Sequence, residues 1–209
     1  MTKFLVVFDV DSTLIEDEAI ELLAQHAGTY EQVAEVTERA MRGEIDFAQS
    51  LHERVATLAG LSEAVLGTTA TQLRPTTGAA ELIAEIHRRG GMAAAVSGGF
   101  NQLLDPLQEK LNLDLAMANT LELEDGQLTG RVSGEIIDRS AKAKYLAQWA
   151  AELGIHPKQT IAVGDGANDL EMMAAAGLSV AFCAKPVVQE RADITIGDRD
   201  LRNLLALLP

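Results

Sequence analysis

The sequence predicts an α/β fold with a mostly parallel sheet covered by helices on both sides. Three observations carry this expectation. The run Phe4-Leu5-Val6-Val7-Phe8 is short, continuously apolar and rich in Val and Phe, the pattern of a strand buried on both faces. From Thr77 onward, short apolar runs alternate with segments of helical periodicity, which implies crossovers between parallel strands. The chemically richest stretches, at Asp9, Ser97 and Gly164, each follow such a run. Open α/β sheets bind ligands at that end of their strands.

After the first strand the pattern is helical as far as Pro75. Glu16–His26 carries Ile20, Leu22 and Leu23, and helical spacing continues through Tyr30–Met41, Asp46–Leu58 and Glu63–Leu73, punctuated by Gly28, Gly43 and Gly60. Arg74-Pro75 ends this block, because proline disfavours helical geometry in the residue before it. The expected organisation is a Rossmann-like core of residues 1–14 and 75–209, with a helical cap of residues 15–74 inserted after strand one. In the core, Thr77 is placed to cap a helix running to Arg89, stopped by Gly90-Gly91. Met92–Val96 reads as a strand and Gln102–Leu111 as a helix. Leu115–Ala118, Thr120–Leu123 and Gln127–Val132 read as strand segments, with Glu124-Asp125-Gly126 as a hairpin turn. A helix is expected over Lys142–Leu153, a strand over Thr160–Val163 and a helix through Ala176. Strands at Leu178–Phe182 and Ile194–Ile196 flank a short helix, and Asp200–Leu208 closes the chain as a helix.

Composition narrows the function. With 209 residues, 47% hydrophobic and 23% charged, the chain suits a globular protein with one generous domain or a core plus a smaller unit. Its formal charge of −14 argues against nucleic acid and against anionic membrane surfaces as partners. A phosphorylated substrate would need a local positive centre. The single cysteine, Cys183, allows no internal disulfide, and no apolar run has the length of a signal peptide or membrane span, so a cytoplasmic protein is expected.

Four stretches carry candidate chemistry. Asp9 and Asp11 are spaced to point the same way from an extended chain. Two like charges about 4 Å apart repel by several kcal/mol at a protein surface, so a cation, a shared proton or solvent must offset them. An EF-hand is excluded, since Leu14 and Ile20 stand where the loop requires Gly and Glu. Ser97-Gly98-Gly99, between strand and helix, reads either as an anion site of hydroxyl and backbone amides or as a tight turn. Gly164-Asp165-Gly166-Ala167-Asn168-Asp169 brings two more carboxylates to the same edge, an oxygen-rich set that suits magnesium. Lys142, at the expected helix start, wants an anion because the helix dipole disfavours it there; solvated surface is its other reading.

Together, Asp9-x-Asp11-x-Thr13, Ser97, Lys142 and Gly164-Asp165-x-x-x-Asp169 resemble the four motifs of the haloacid dehalogenase superfamily of phosphatases. The resemblance runs closer to its phosphoserine phosphatase family and covers essentially the whole chain. It extends over Val96-Ser97-Gly98-Gly99-Phe100 and Ala181-Phe182-Cys183-Ala184-Lys185-Pro186. It implies that Asp9 attacks phosphorus to form an aspartyl-phosphate, while Asp11 protonates the leaving oxygen and then activates water. It implies Mg2+ held by Asp9, the Asp11 backbone carbonyl and Asp165, with Asp169 in support, and phosphoryl oxygens held by Ser97, Gly98 and Lys142. Gly99 and Asn168 would line the substrate site. From the cap, the resemblance assigns Glu18 to a substrate ammonium, Arg54 to its carboxylate and Met41 and Phe47 to closure over the site.

The implied activity is hydrolysis of O-phospho-L-serine, the last step of serine biosynthesis, by a monomer or homodimer. The alternatives are a phosphatase or phosphotransferase acting on phosphocholine, phosphoethanolamine or homoserine phosphate; a choline head has no carboxylate for Arg54. A receiver-type signalling module would leave residues 15–74 unexplained. Many family members carry an N-terminal regulatory domain, and a start three residues before the strand makes feedback through one unexpected. His26, His52, His87 and His156 match no metal spacing.

Overall fold

The computed structural model describes residues 2–209, and of Met41 the backbone only. At its centre lies β1 (Leu5–Phe8), buried along its whole length. Val6 and Phe8 join one apolar cluster, with Phe4 ahead of them, while Leu5 and Val7 join another. Successive side chains of a strand point to opposite faces, so a wholly apolar strand demands a roof on each side.

Four helices follow: α1 (Ala19–Ala27), α2 (Tyr30–Met41), α3 (Phe47–Ala56) and α4 (Ala64–Gln72). The chain then alternates through α5 (Ala79–Arg88), β2 (Met92–Phe100), α6 (Asn101–Leu111), β3 (Leu115–Glu124), β4 (Gln127–Ser133) and α7 (Arg139–Glu152). It continues through β5 (Thr160–Gly164), α8 (Leu170–Ala175), β6 (Leu178–Phe182), α9 (Pro186–Gln189) and β7 (Ile194–Ile196). One sheet results, in the order β4-β3-β2-β1-β5-β6-β7. Every pairing is parallel except that of β3 with β4. Apolar residues of α5 and α6 roof the Val6 and Phe8 face, and those of α7 and α8 roof the Leu5 and Val7 face. The chain builds outward from β1 to β2 and β3, then returns to β5 on the other flank. The carboxyl end of β1 is therefore a topological switch point, where such sheets open a crevice.

The helical block meets the sheet at two places. At its base Ile15 bridges Pro75, the Glu16 N–H donates to the Arg74 carbonyl (2.9 Å) and the Thr76 N–H to that of Leu14 (2.8 Å). The Asp17 carboxylate accepts from the Arg74 N–H and guanidinium at 2.8 and 2.7 Å. At its far side the β3–β4 hairpin docks on it. Gly60 N–H donates to the Leu128 carbonyl and Leu128 N–H to that of Leu61, both at 2.8 Å. The hairpin turns at Asp125 and Gly126, whose φ values of 49° and 75° are the left-handed pair such a turn needs.

Several elements differ from expectation. β2 does not stop at Val96 but runs to Phe100, because Phe100 re-enters register with Asn119 after an irregularity. β3 is one strand across Asn119. α7 starts three residues before Lys142, because the Asp138 carboxylate caps it by accepting from the N–H groups of Ser140 and Ala141. Thr77 does not cap α5; Gly78 occupies that position with φ 81°, and a Cβ there would lie 2.8 Å from the Arg202 nitrogen. The closing segment Leu201–Leu207 is a 3₁₀ helix rather than an α-helix.

Gly130 in β4 shows how closely the hairpin approaches α3. A Cβ there would lie 2.9 Å from that of Ala59 and 3.3 Å from the Ala56 backbone, at φ 81°. Gly130→Ala should therefore lower the unfolding free energy by about 1–3 kcal/mol in urea titration. An unchanged midpoint would show that the hairpin is not held against the helix.

Candidate active site

The switch point is built around a buried ammonium. Asp9 follows β1 directly, and its N–H donates to the Val163 carbonyl of β5 (2.9 Å). Lys142, in the second turn of α7, lies on the helix face that buries Ala141, Leu146, Trp149 and Ala150, and is itself 1% exposed. Its Nζ donates to Asp9 Oδ1 at 2.5 Å and to Asp169 Oδ1 at 2.7 Å. The second oxygen of Asp169 accepts from the N–H groups of Asp165 (3.2 Å) and Gly166 (3.0 Å). A Cβ on Gly164 would sit 2.5 Å from that oxygen, so the close approach of backbone to carboxylate requires glycine. One carboxylate oxygen each from Asp9, Asp165 and Asp169 lies within 4.8 Å of the others. An all-oxygen, anionic set of this kind fits a hard divalent cation.

The titration behaviour follows from this crowding. Burial, and then the charge of Asp169, raises the Asp9 carboxyl well above its usual range, with Lys142 acting in the opposite direction. Burial, with Asp169 and Glu18 adding to it, raises Asp165 to about 6. Burial would depress Lys142, but Asp169 and Asp9 outweigh it and hold the ammonium charged beyond its ordinary range. Asp11 is raised to about 7, by burial first and the neighbouring Glu18 second. A carboxyl poised near neutrality can both give and take a proton.

Asp11 does not join the Asp9–Asp165–Asp169 set through its side chain. The chain beyond Asp9 enters a wide turn, Val10–Leu14, in which Asp11 is extended and Ser12 left-handed at φ 58°. Asp11 Oδ1 accepts from the Ala19 N–H at 3.2 Å, and a Cβ on Gly99 would fall 3.3 Å from Asp11 Oδ2 and 3.0 Å from Ser97 Oγ. Asp11 thus faces Ser97 and Gly99. Ser97 is buried, and its Oγ accepts from the Gly99 N–H at 2.8 Å. Ser97, Gly98 and Gly99 lie within β2 rather than between a strand and a helix, where the sequence had placed them. They bulge out of the ladder, three residues between Val96 and Phe100 set against one, Ala118, between Met117 and Asn119. Bulges of this kind turn backbone groups away from the strand partner.

The helical block covers the crevice. The Phe47 ring stands over Gly98, where a Cβ would meet its Cζ at 3.1 Å. Arg54 of α3 is half-buried, its Nε donates to the Ser50 carbonyl (3.3 Å), and burial lowers its pKa against the opposing charges of Glu18, Asp11 and Glu21. Glu18 is exposed and accepts from Ser12 Oγ at 2.7 Å. Asn168 folds back over Gly166, its Oδ1 occupying the space a Cβ there would need. Met41 ends α2, and its side chain lies outside the described residues. Two residues at the site had not been singled out. Ser12 orients Glu18, and Asn119, a buried amide, donates to the Gly98 carbonyl at 2.9 Å. The only trace of Asn119 in the sequence is the polar pair Asn119-Thr120 between Ala116-Met117-Ala118 and Leu121.

An α/β crevice with these four motifs defines a class of hydrolases, and the chain belongs to it: residues 6–174 match the family of haloacid dehalogenase-like hydrolases. Within that family it is similar to phosphoserine phosphatases. It is 57% identical over 204 residues to the phosphoserine phosphatase of Streptomyces coelicolor, covering 98% of this chain and 50% of the relative. It is 48% identical over 206 residues to that of Streptococcus thermophilus, covering 99% and 96% respectively. A solved phospho-aspartyl intermediate analogue of a phosphoserine phosphatase superposes with a TM-score of 0.94 at 45% identity, covering 100% of both chains. The chain thus spans about half the length of the Streptomyces relative and nearly all of the Streptococcus one.

The raised carboxyls connect cation binding to pH. In an unfolded chain these groups titrate near pH 4, about where free aspartate does. Without a cation the folded state holds extra protons on Asp9, Asp11 and Asp165. That part of the stability is present at low pH and is lost as pH rises through the folded pKa values, which reach about 6 and 7 for Asp165 and Asp11. A divalent cation bound there would take the place of the protons. Thermal melts should therefore show a larger cation-induced rise in Tm at pH 8 than at pH 5. Equal rises would mean that the carboxylates are not its ligands.

Proposed function

We propose that this chain is a phosphoserine phosphatase, hydrolysing O-phospho-L-serine to L-serine and phosphate through an aspartyl-phosphate on Asp9. The observation that carries the reading is the Lys142 ammonium clamping Asp9 and Asp169 beside the Ser97–Gly99 bulge. It lies under helices that bring Arg54 within reach of Glu18 and Asp11. Similarity to phosphoserine phosphatases, including one solved as a phospho-aspartyl intermediate analogue, supports the same chemistry. Residues 15–74 would act as the cap, residues 1–14 and 75–209 as the core, and the reaction would run in the cytoplasm as the last step of serine biosynthesis.

Lys142 fixes one Asp9 oxygen and leaves the carboxylate aimed from the strand end, so the nucleophile is oriented before substrate arrives. Asp9 attacks phosphorus, the bond from phosphorus to the serine oxygen breaks, and protonated Asp11 delivers its proton to that oxygen. Asp11, now ionised, takes a proton from the water that attacks the same phosphorus. The Asp9–phosphorus bond then breaks and inorganic phosphate leaves. Ser97, the Gly98 backbone and Lys142 face the equatorial oxygens, where charge spreads in the transition state. Mg2+, held by Asp9, the Asp11 carbonyl and Asp165 with Asp169 in support, would neutralise charge on the phosphoryl group.

The cap residues supply the substrate. Arg54 presents a planar fork to a carboxylate, and Glu18, held by Ser12, presents an anion to an ammonium. Phe47 over Gly98, with Gly99 and Asn168, and Met41 by the family pattern, would enclose the serine moiety. A zwitterion satisfies both charges, whereas phosphocholine leaves Arg54 without a partner.

The reading is tested by phosphate release from L-phosphoserine, with Mg2+ or with a chelator, beside phosphocholine, phosphoethanolamine, homoserine phosphate and phosphothreonine. Metal-dependent release confined to phosphoserine is expected; release from the others with phosphoserine poor discards the substrate and keeps the chemistry. Asp9→Asn should cut turnover at least about a thousandfold, since it removes the nucleophile. Arg54→Ala should lower kcat/KM for phosphoserine about a hundredfold and leave p-nitrophenyl phosphate within a few-fold. Equal losses on both substrates would remove Arg54 from carboxylate recognition.

A further inference from the structure

We infer that Asn119 is a positioning residue: its side-chain amide holds the Ser97–Gly99 bulge in shape and locks it to the start of α7, the helix that carries Lys142. The phosphoryl-facing groups come from two segments far apart in sequence, and something must hold them in mutual register. The bulge alone cannot do so. Where β2 gains residues against β3, its backbone leaves the ladder, and the carbonyls of Gly98 and Gly99 lose the strand donors that would otherwise fix them.

Asn119 replaces those donors. It is 1% exposed and sits on β3 opposite Phe100, where register resumes. Its Nδ2 donates to the Gly98 carbonyl at 2.9 Å and to the Gly99 carbonyl at 3.2 Å. Its Oδ1 accepts from the Ile137 N–H at 2.8 Å. Ile137 immediately precedes Asp138, which caps α7 and whose carbonyl accepts from the Lys142 N–H at 3.0 Å. One amide thus spans the bulge and the helix start. Its two donors and one acceptor are each matched, and the flipped amide would oppose oxygen to two carbonyls, so a single orientation is allowed. The Gly98 carbonyl shares its peptide plane with the Gly99 N–H, which donates to Ser97 Oγ at 2.8 Å, so holding that plane also holds the Ser97 hydroxyl. Asn119 touches no reacting atom; it acts through the backbone that does.

This role rests on the phosphatase reading of the site but not on phosphoserine as the substrate. The decisive variant is Asn119→Asp, which keeps the side-chain volume and the acceptor for Ile137 and removes both donors. The test uses the whole chain with Mg2+. Two readouts are taken: the dissociation constant of inorganic phosphate by calorimetry, which needs no turnover, and kcat and KM for p-nitrophenyl phosphate and phosphoserine. Phosphate affinity should fall about tenfold or more, as expected for misdirecting donors to a charged group, with KM rising in step. The ratio of kcat/KM between the two substrates should stay within about twofold, because both present the same phosphoryl group. This separates Asn119 from Arg54, whose loss changes that ratio. Asn119→Ser, which retains one donor and adds no charge, is measured alongside and should fall between wild type and Asn119→Asp. Unchanged phosphate affinity and KM in whichever of these variants melts cooperatively, with only kcat lowered, would overturn the inference and leave Asn119 as a packing residue. If the wild-type chain cleaves p-nitrophenyl phosphate and not phosphoserine, the substrate assignment falls while the Asn119 measurements are still read in full.

Discussion

Everything at the carboxyl end of the sheet depends on one ammonium group held between two buried carboxylates. Moving a lysine out of water costs several kcal/mol, and so does moving an aspartate, so neither is stable in this crevice alone. Lys142 placed between Asp9 and Asp169 makes the burial of all three possible. The constraint propagates through the fold. α7 has to begin early enough for Lys142 to lie on its inward face, and the Asp138 cap sets that start. The turn after β5 has to bring the Asp169 carboxylate against its own backbone, which Gly164 permits. β1 has to end where Asp9 can reach across, and its wholly apolar run ends there.

The arrangement is not charge-balanced. Asp9, Asp165 and Asp169 converge on one point, and among the described residues Lys142 is the one ammonium bonded to them, so protonation or a cation has to make up the difference. Burial and mutual repulsion raise Asp9 and Asp165, so protons can supply that difference. A divalent cation would release those protons at neutral pH. Asp11 stands apart, turned to the Ala19 N–H and Gly99, and its elevated pKa comes from burial first and Glu18 second, with Asp165 adding less. Two aspartates two residues apart thus acquire different environments, one clamped by an ammonium and one not, as the proposed nucleophile and acid–base roles would require.

Much of this was legible in the sequence, and the residues that were not share a cause. Strand and helix alternation, the helical block and the hairpin turn came from periodicity and turn chemistry, which are local. The acidic and glycine motifs were visible because each combines residues that a bland loop does not need together. What escaped depended on three-dimensional register. Asp9 and Asp11 looked convergent because alternation was assumed to continue past Phe8, yet the chain turns there with Ser12 left-handed. Ser97–Gly99 looked like a helix start, and its actual form, a bulge, depends on how β3 pairs beside it. Asn119 was invisible because a lone amide in a strand signals nothing until its three partners are known. Glu18 and Arg54 were found only through family resemblance, since charged residues on helices read locally as solvated surface.

The same register would explain how a chain of net charge −14 accepts a phosphate dianion, as the proposed function requires. The long-range field of such a protein opposes an approaching anion, and that field decays over about 8 Å at physiological ionic strength. Capture would therefore rest on short-range contacts: in the proposed reading, Lys142, the bulge, a divalent cation and, for a carboxylate-bearing substrate, Arg54. Short-range contacts reward geometry more steeply than charge, because a hydrogen bond weakens sharply with distance and angle. Acidic residues elsewhere on the surface can then vary in number without altering the site. A shift in the β2 bulge cannot, since it would move both the amides and the helix that carries the only ammonium bonded to Asp9 among the described residues.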